Sequence, residues 1–451
     1  MKIKIKIRKK KSIGLERIRN IEELSLKAHE ISNGAIEQVG RIALNDLRDL
    51  AIYYTPGVAY VSTAVRANKQ LSYKYTSRGN RIAIVSDGSR VLGLGDIGPE
   101  AGLPVMEGKA LLFKKFGAID AIPLAINADT VEQIVEFAKA LEPSVAGINL
   151  EDISNKKCFD VFDILQKELN IPIFHDDRQG TAVVTYAALK NALSLVGKDI
   201  KTAKIVINGI GAAGVGIAQL LLASGAANLM LCDTRGILYK GRGEDMNRMK
   251  ETLAEYTNKQ QLKGQLADAA KSADVLIGVS VKGAFNEQLI KSMAEKPIVF
   301  ALANPDPEIS YERAKAAGAV IVATGASAVP NQVNNLLIFP ALFRGALDVQ
   351  ARKINTAMMQ AAADELAKSV AKTKLSEEHI VPNFVDEDIV EVTANIAAAV
   401  ARAAMETGVA GIKVDPAIVR KGAKEALQRY SKIEKMMSKL DHEKELSKLL
   451  K

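Results

Sequence analysis

Short apolar runs alternate with stretches of helical spacing through most of this chain. The runs at 81–86, 121–125, 145–150 and 171–174 read as strands, with helical patterns at 109–116, 130–141 and 156–169 between them. In the last of these, Phe159, Phe162, Leu165 and Leu169 fall on one helix face. A helix joining two strands of one sheet is a crossover and makes the strands parallel. The runs 145–150 and 171–174 are therefore expected to end at the same edge of one sheet. The alternation resumes with a helix at 181–196 and apolar runs at 203–208, 228–232, 275–278, 298–302 and 320–323. Such a series predicts a second, doubly wound sheet. Ahead of residue 81 the chain reads as mostly helical, with amphipathic stretches at 24–34 and 36–50. A Pro-Gly turn follows at Pro56-Gly57. After Val333 the pattern is helical again, at 342–351, 354–369 and 389–406, ending in a charged amphipathic stretch at 416–451. The fold class expected is α/β: an N-terminal unit over 13–179, a doubly wound unit over 180–335 and a C-terminal helical segment over 336–451.

A chain of 451 residues is too long for one core. With 48% hydrophobic and 25% charged residues it has the composition of a soluble globular protein. No apolar run approaches the ~20 residues that span a bilayer. The two cysteines, Cys158 in a helix and Cys232 in a strand, suit neither a disulfide framework nor a zinc site. They read as buried thiols in a reducing compartment, and a cytoplasmic location is expected. The net charge of +9 is concentrated in residues 1–12, which carry +7 with no acid, leaving +2 for the rest. A near-neutral body with a basic arm is not a nucleic-acid-binding face. The arm reads as an added edge strand or a tail, dispensable to any chemistry.

Chemistry is concentrated at the ends of the strands. Glu151-Asp152 closes one run and Asp176-Asp177 follows the other. Four carboxylates at one sheet edge repel unless a hard divalent cation neutralises them; the bland alternative is acidic loop ends facing water. Next, Gly209-Ile210-Gly211-Ala212-Ala213-Gly214 follows an apolar strand and opens a helix. That context identifies a dinucleotide fingerprint, with Gly209, Gly211, Ala212, Ala213 and Gly214 at the pyrophosphate, and makes the second unit Rossmann-type. Asp233, 24 residues beyond Gly209, is placed to take the adenosine ribose hydroxyls. It inclines the choice toward NAD, although Arg235 offers a 2′-phosphate of NADP a partner. In Ser86–Gly98, rich in glycine, Arg90 can clamp a carboxylate, or be a solvated hairpin arginine. Lys109 reads as opening a helix, against the macrodipole, which hints at a task; alone it would be a surface lysine. Asn304, Asn334 and Asn335 can hold a substrate carboxylate or simply form turns.

These segments together resemble the malic enzyme family, from about Leu26 to Gly411. The resemblance is carried by Tyr54-Thr55-Pro56-Gly57-Val58-Ala59, Val91-Leu92-Gly93-Leu94-Gly95-Asp96-Ile97-Gly98 and Gly102-Leu103-Pro104-Val105-Met106-Glu107-Gly108-Lys109. Asn149-Leu150-Glu151-Asp152, His175-Asp176-Asp177-Arg178-Gln179-Gly180-Thr181-Ala182, Ala303-Asn304-Pro305 and Val333-Asn334-Asn335 complete it. In length the chain is similar to the compact prokaryotic or archaeal form, without the phosphotransacetylase-like domain of some longer bacterial members. The resemblance implies oxidative decarboxylation of (S)-malate to pyruvate and CO2, with NAD or NADP reduced and Mg2+ or Mn2+ required. It implies Glu151, Asp152 and Asp177 as metal ligands and Asp176 as an orienting group. Lys109 matches the general base and Tyr54 the general acid. Arg90, Asn304 and Asn335, with Asn334 beside it, match substrate-binding positions; compact bacterial forms often carry a small residue in place of Arg90. A homodimer or dimer of dimers is expected, without nucleic-acid or membrane partners. Two other readings stand beside this one: a malolactic enzyme that keeps its NAD and releases lactate, and a catalytically silent nucleotide-binding protein.

Overall fold

The computed structural model describes residues 21–91, 93–383 and 388–439. The basic arm at 1–12, Leu92 and the end of the charged stretch beyond 439 lie outside the described residues. The chain is α/β and builds two sheets. The first is four-stranded and wholly parallel, in the order β2-β1-β3-β4, from β1 (Arg81–Ser86), β2 (Asp120–Ala125), β3 (Ile148–Leu150) and β4 (Ile173–His175). The second comprises β5 (Lys204–Asn208), β6 (Asn228–Asp233), β7 (Gly236–Ile237), β8 (Val275–Gly278), β9 (Ile298–Ala301) and β10 (Ile321–Thr324). Its order is β10-β9-β8-β5-β6-β7, parallel except for β7 at one edge. β5 lies between β6 and β8, so the order reverses beside it, and the chain leaving β5 opens into the switch-point crevice.

The strands read as short apolar runs because helices cover both faces of each sheet. Along β1, Ile82 and Ile84 enter one core while Ala83 and Val85 enter another. β5 divides likewise, Ile205 and Ile207 against Val206. In the first sheet Leu150 stands opposite His175, so the two acidic pairs leave adjacent strands in register. Cys158 and Cys232 are buried and unpaired by any disulfide. After the second sheet the helix Phe339–Asp348 returns to the first unit. Its Phe339 and Phe343 pack on Phe113 at 4.5 and 5.4 Å between ring centroids, and Phe343 meets Phe174 at 5.6 Å. No helix among the described residues is long and apolar enough to cross a membrane.

Two sequence expectations fail. The helix expected over 109–116 runs from Pro99 to Gly117, so Lys109 lies in mid-helix and the argument from an adverse macrodipole falls. Pro104 sits in the second turn of this helix, where it costs one backbone bond. The amphipathic stretch 36–50 is helical only over Leu47–Tyr53, where Asp46 caps the start by accepting the Asp49 N–H at 2.9 Å. Upstream of that cap, tertiary ties override helical spacing. The Ala35 N–H goes to Glu107 at 2.8 Å, and Arg41 reaches Asp120 at 2.5 Å.

Candidate active site

Glu151 and Asp152 follow β3, and Asp176 and Asp177 follow β4 in a single wide turn, Asp176–Gly180. Turns of this π type recur at functional sites. Glu151, Asp152 and Asp177 each offer an oxygen within 4.8 Å of the others. The turn out of β3 is tight, with Asp152 at φ 52°, and its N–H donates to Asp177 Oδ2 at 3.4 Å. Asn149 Nδ2 donates to Glu151 Oε2 at 2.7 Å and fixes that carboxylate. Burial pushes the Glu151 carboxyl well above the usual range. Lys109 pulls it down, while Asp176, Asp177 and Asp152 push it further up. Such an arrangement of hard oxygen donors fits a divalent cation of the Mg2+ or Mn2+ type. His175, buried beside the cluster, is not one of its three members.

Lys109 joins this cluster from the helix Pro99–Gly117. Its Nζ lies 2.5 Å from Asp176 Oδ2 and 2.9 Å from Glu151 Oε1, with the Phe339 ring 4.5 Å away. Burial lowers the affinity of the amine for its proton, but Asp176 and Glu151 outweigh it and hold the pKa above the ordinary lysine value. Asn335 Nδ2 donates to Asp176 Oδ2 at 3.1 Å, and Thr181 Oγ1 donates to Asn335 Oδ1 at 3.2 Å. Asp176 Oδ1 is buried with no hydrogen-bond partner. Asn334 does not join in. Its side chain accepts the Leu336 N–H at 2.9 Å and caps its own short turn.

Across the crevice the glycine turn leaves β5. Gly209 has φ +114°, and a Cβ there would stand 2.5 Å from the Val279 carbonyl oxygen. A Cβ on Gly214 would stand 1.9 Å from the Gly209 carbonyl oxygen, so both positions exclude side chains. Ala212 and Ala213 open the helix Ala212–Ala223, which has no side-chain cap and leaves its first N–H groups available. Asp233 stands at the end of β6, but its carboxylate is already engaged. Arg242 donates to both its oxygens at 2.9 and 2.5 Å, and Lys250 lies 2.9 Å away. Burial raises the Asp233 carboxyl, yet the bonds from Arg242 and Lys250 hold it below the usual range. Arg235 contributes its backbone N–H to Asp233, at 2.9 Å.

Arg90 bridges the two regions. Its Nη1 donates to Asn155 Oδ1 at 2.8 Å, and its guanidinium lies 4.0 Å from where a Gly211 Cβ would stand. Arg178 supports the seam beneath: it stacks on Phe159 and Phe162 at 5.3 and 5.1 Å and reaches Gln219 on the nucleotide helix at 2.8 Å. Asn304 is exposed and precedes the cis proline Pro305, whose Cδ is 3.1 Å from the Cβ position of Gly93. Tyr54 is not gathered in. It is 65% exposed, and its hydroxyl has no hydrogen bond among the described residues. Arg242, Lys250, Asn155 and Phe339 escaped the sequence reading, and Thr181 entered it only as part of the second acidic motif. Of the four, only Asn155 carried a signal, by lying three residues past Asp152.

A glycine-turn nucleotide sheet facing a buried lysine–carboxylate cluster defines an NAD(P)-dependent oxidoreductase of two α/β units. Known families narrow the class further. Residues 34–166 match "Malic enzyme, N-terminal domain" and 178–405 match "Malic enzyme, NAD binding domain". The chain belongs to the malic enzyme family. It is 48% identical over 397 residues to the bifunctional malic/malolactic enzyme of Bacillus subtilis, covering 88% of this chain and 96% of that one. It is 45% identical to the NAD-dependent malic enzyme of Geobacillus stearothermophilus, over 87% and 81% of the two chains. The crystal structure of malic enzyme from Pyrococcus horikoshii superposes with a TM-score of 0.89 at 42% identity, over 94% of this chain and 99% of that one.

Proposed function

We propose that the crevice between the two sheets is where this chain carries out the oxidative decarboxylation of malate to pyruvate and CO2, with NAD or NADP reduced. The observation that carries this placement is the convergence of Lys109, Asp176 and Asn335 on the acids Glu151, Asp152 and Asp177. These three acids would hold Mg2+ or Mn2+, which when bound supplies Lewis-acid polarisation of the ketone and charge stabilisation as CO2 leaves. With Glu151 committed as a ligand and a cation beside it, the hold of the two carboxylates on the Lys109 proton would be relieved, leaving Asp176 as the anion that orients the neutral Lys109 amine. Lys109 then takes the proton from the malate hydroxyl while hydride passes from C2 to the nicotinamide. Asn335, fixed by Asp176 and Thr181, and Arg90, fixed by Asn155, hold the substrate carboxylates, with Asn304 at the rim. Asn334 serves the turn that presents Asn335.

Tyr54 supplies the proton that C3 needs after CO2 is lost, the role of a weak acid without permanent charge. Gly209, Gly211, Ala212, Ala213 and Gly214 receive the pyrophosphate, and the Asp233 end of β6 receives the adenosine ribose. The setting proposed is the cytoplasm, where buried thiols stay reduced, and the assembly a homodimer or dimer of dimers. A malolactic outcome is the second reading, favoured by the bifunctional Bacillus subtilis relative. A silent nucleotide-binding protein would not need Lys109 and four carboxylates held together. Malate assayed with NAD and with NADP, with and without Mn2+, tests the proposal. Net NAD(P)H formation that requires the cation is expected. Lactate without net NAD(P)H would establish the malolactic outcome, and full activity in excess chelator would overturn the metal assignment.

A further inference from the structure

Glu308 is a wholly buried acid that the chemistry proposed above does not use, and no cation pairs with it among the described residues. A buried carboxylate is costly unless N–H and O–H donors stand in for its water. Here the donors come from two loops. Oε1 accepts the Ser280 N–H at 2.7 Å and the Ser280 hydroxyl at 3.1 Å, and Oε2 accepts the Ala303 N–H at 3.0 Å. Ser280 follows β8 and Ala303 follows β9. Gly278 makes the room, since a Cβ there would stand 2.4 Å from the Glu308 carboxyl carbon. The Ser280 hydroxyl also accepts from Asn208 Nδ2 at 3.0 Å, at the end of β5. One side chain thus ties together, directly or through Ser280, the ends of three neighbouring parallel strands.

Those ends flank the crevice. With the adenosine ribose at Asp233, on the β6 side of β5, the nicotinamide falls on the other side, toward β8 and β9. From that side the Val279 carbonyl oxygen meets the glycine turn, 2.5 Å from the Cβ position of Gly209. Asn304 is the residue after Ala303, and Pro305 beside it lies 3.1 Å from the Cβ position of Gly93, in the segment that carries Arg90. We infer that Glu308 is a positioning residue for hydride transfer. By fixing the loops after β8 and β9 it sets how the nicotinamide faces C2 of malate, while itself touching neither. A misplacement of ~1 Å between reacting atoms can cost on the order of 10²-fold in rate. The pyrophosphate and adenosine contacts lie beyond the reach of this tie. The inference rests on the reading of the crevice as the site of malate oxidation.

Glu308→Gln tests it, because the amide keeps the volume but leaves one loop N–H facing an NH2 group. Turnover of malate is expected to fall ~10- to 100-fold. The primary isotope effect on kcat/KM with 2-deuterated malate is expected to rise, as hydride transfer becomes the slower step. The Kd for ADP-ribose, which lacks the nicotinamide, is expected to stay at the wild-type value. Glu308→Asp keeps both acceptor oxygens and is expected to recover part of the turnover. An isotope effect no larger than that of the wild type would overturn the inference. So would ADP-ribose binding weakened in proportion to turnover, which would make Glu308 a support of the whole nucleotide sheet. Should Glu308→Gln not fold, Ser280→Ala removes only the hydroxyl link and is expected to raise the isotope effect by a smaller amount; no change there would overturn the inference equally. A wild-type protein that does not oxidise malate would overturn the reading of the crevice itself, and this inference with it.

Discussion

The ends of the two sheets solve the same problem, holding an anionic ligand, with opposite materials. At β3 and β4 the polar groups are side chains: four carboxylates and one amine, mostly buried and crowded within a few ångströms. At β5 they are backbone, a glycine turn and the start of a helix whose N–H groups need no particular side chain. The first end sets four carboxylates against the one amine of Lys109, a donor set that suits a cation from outside. The second is nearly neutral, and the charges at its rim already pair internally through Asp233, Arg242 and Lys250. Substitutions at the acidic end should therefore be severe, and those at the glycine end graded.

Lys109→Ala should be the most damaging. Loss of a general base lowers turnover by on the order of 10²- to 10⁴-fold, read as NAD(P)H formation at saturating malate. A loss below tenfold would move the base elsewhere. Asp177→Asn replaces an anionic ligand by an amide and should raise the Mn2+ needed for half-activation by ~10- to 100-fold, checked by metal titration of chelator-treated protein. An unchanged requirement would exclude Asp177 from the metal site.

The two adjacent asparagines sharpen the comparison within one turn. Asn335 touches the charged cluster, and removing a hydrogen bond to a charged group costs ~1.5–3 kcal/mol. Asn335→Ala should therefore lower kcat/KM for malate roughly tenfold or more. Asn334 caps its own turn, so Asn334→Ala should cost about 1 kcal/mol of stability, read by urea unfolding, with kcat/KM nearly unchanged. Equal kinetic losses at both positions would show that the turn as a whole, and not Asn335, meets the substrate.

The chain's local pattern made much of this legible. The strand at 81–86, the helices at 181–196 and 389–406, the acidic strand ends and the glycine turn all follow from spacing and are found where the spacing places them. What stayed hidden depends on contacts distant in sequence. Residues 36–45 have helical spacing but form no helix; the chain is tied to the body instead, at Ala35 by Glu107 and at Arg41 by Asp120. Lys109 reads as a helix start because the spacing over 109–116 does not reveal that its helix began at Pro99. Phe339 sits beside Lys109 only because the chain returns to the first unit after the second sheet. Arg242 is invisible for the same reason: nothing local announces that its guanidinium will meet Asp233 nine residues back.

That pairing leads to the smallest effect, at the glycine end. A bare Asp233 would repel a ribose 2′-phosphate and set a preference for NAD. Here Arg242 and Lys250 already offset the carboxylate, so NAD is expected to be used at least as well as NADP, with a modest margin. Asp233→Asn keeps the shape and removes the charge, which leaves two cations facing the adenosine ribose. The ratio of kcat/KM values should then move toward NADP by about fivefold, roughly 1 kcal/mol. Adding Arg235→Ala separates the sources of that gain. Arg235 holds Asp233 through its backbone N–H, a bond that survives the substitution. The gain should therefore persist if Arg242 and Lys250 receive the phosphate, and vanish if the Arg235 side chain does. A wild-type protein that already prefers NADP tenfold or more, about 1.4 kcal/mol, would mean that the cations at this rim outweigh Asp233 from the start.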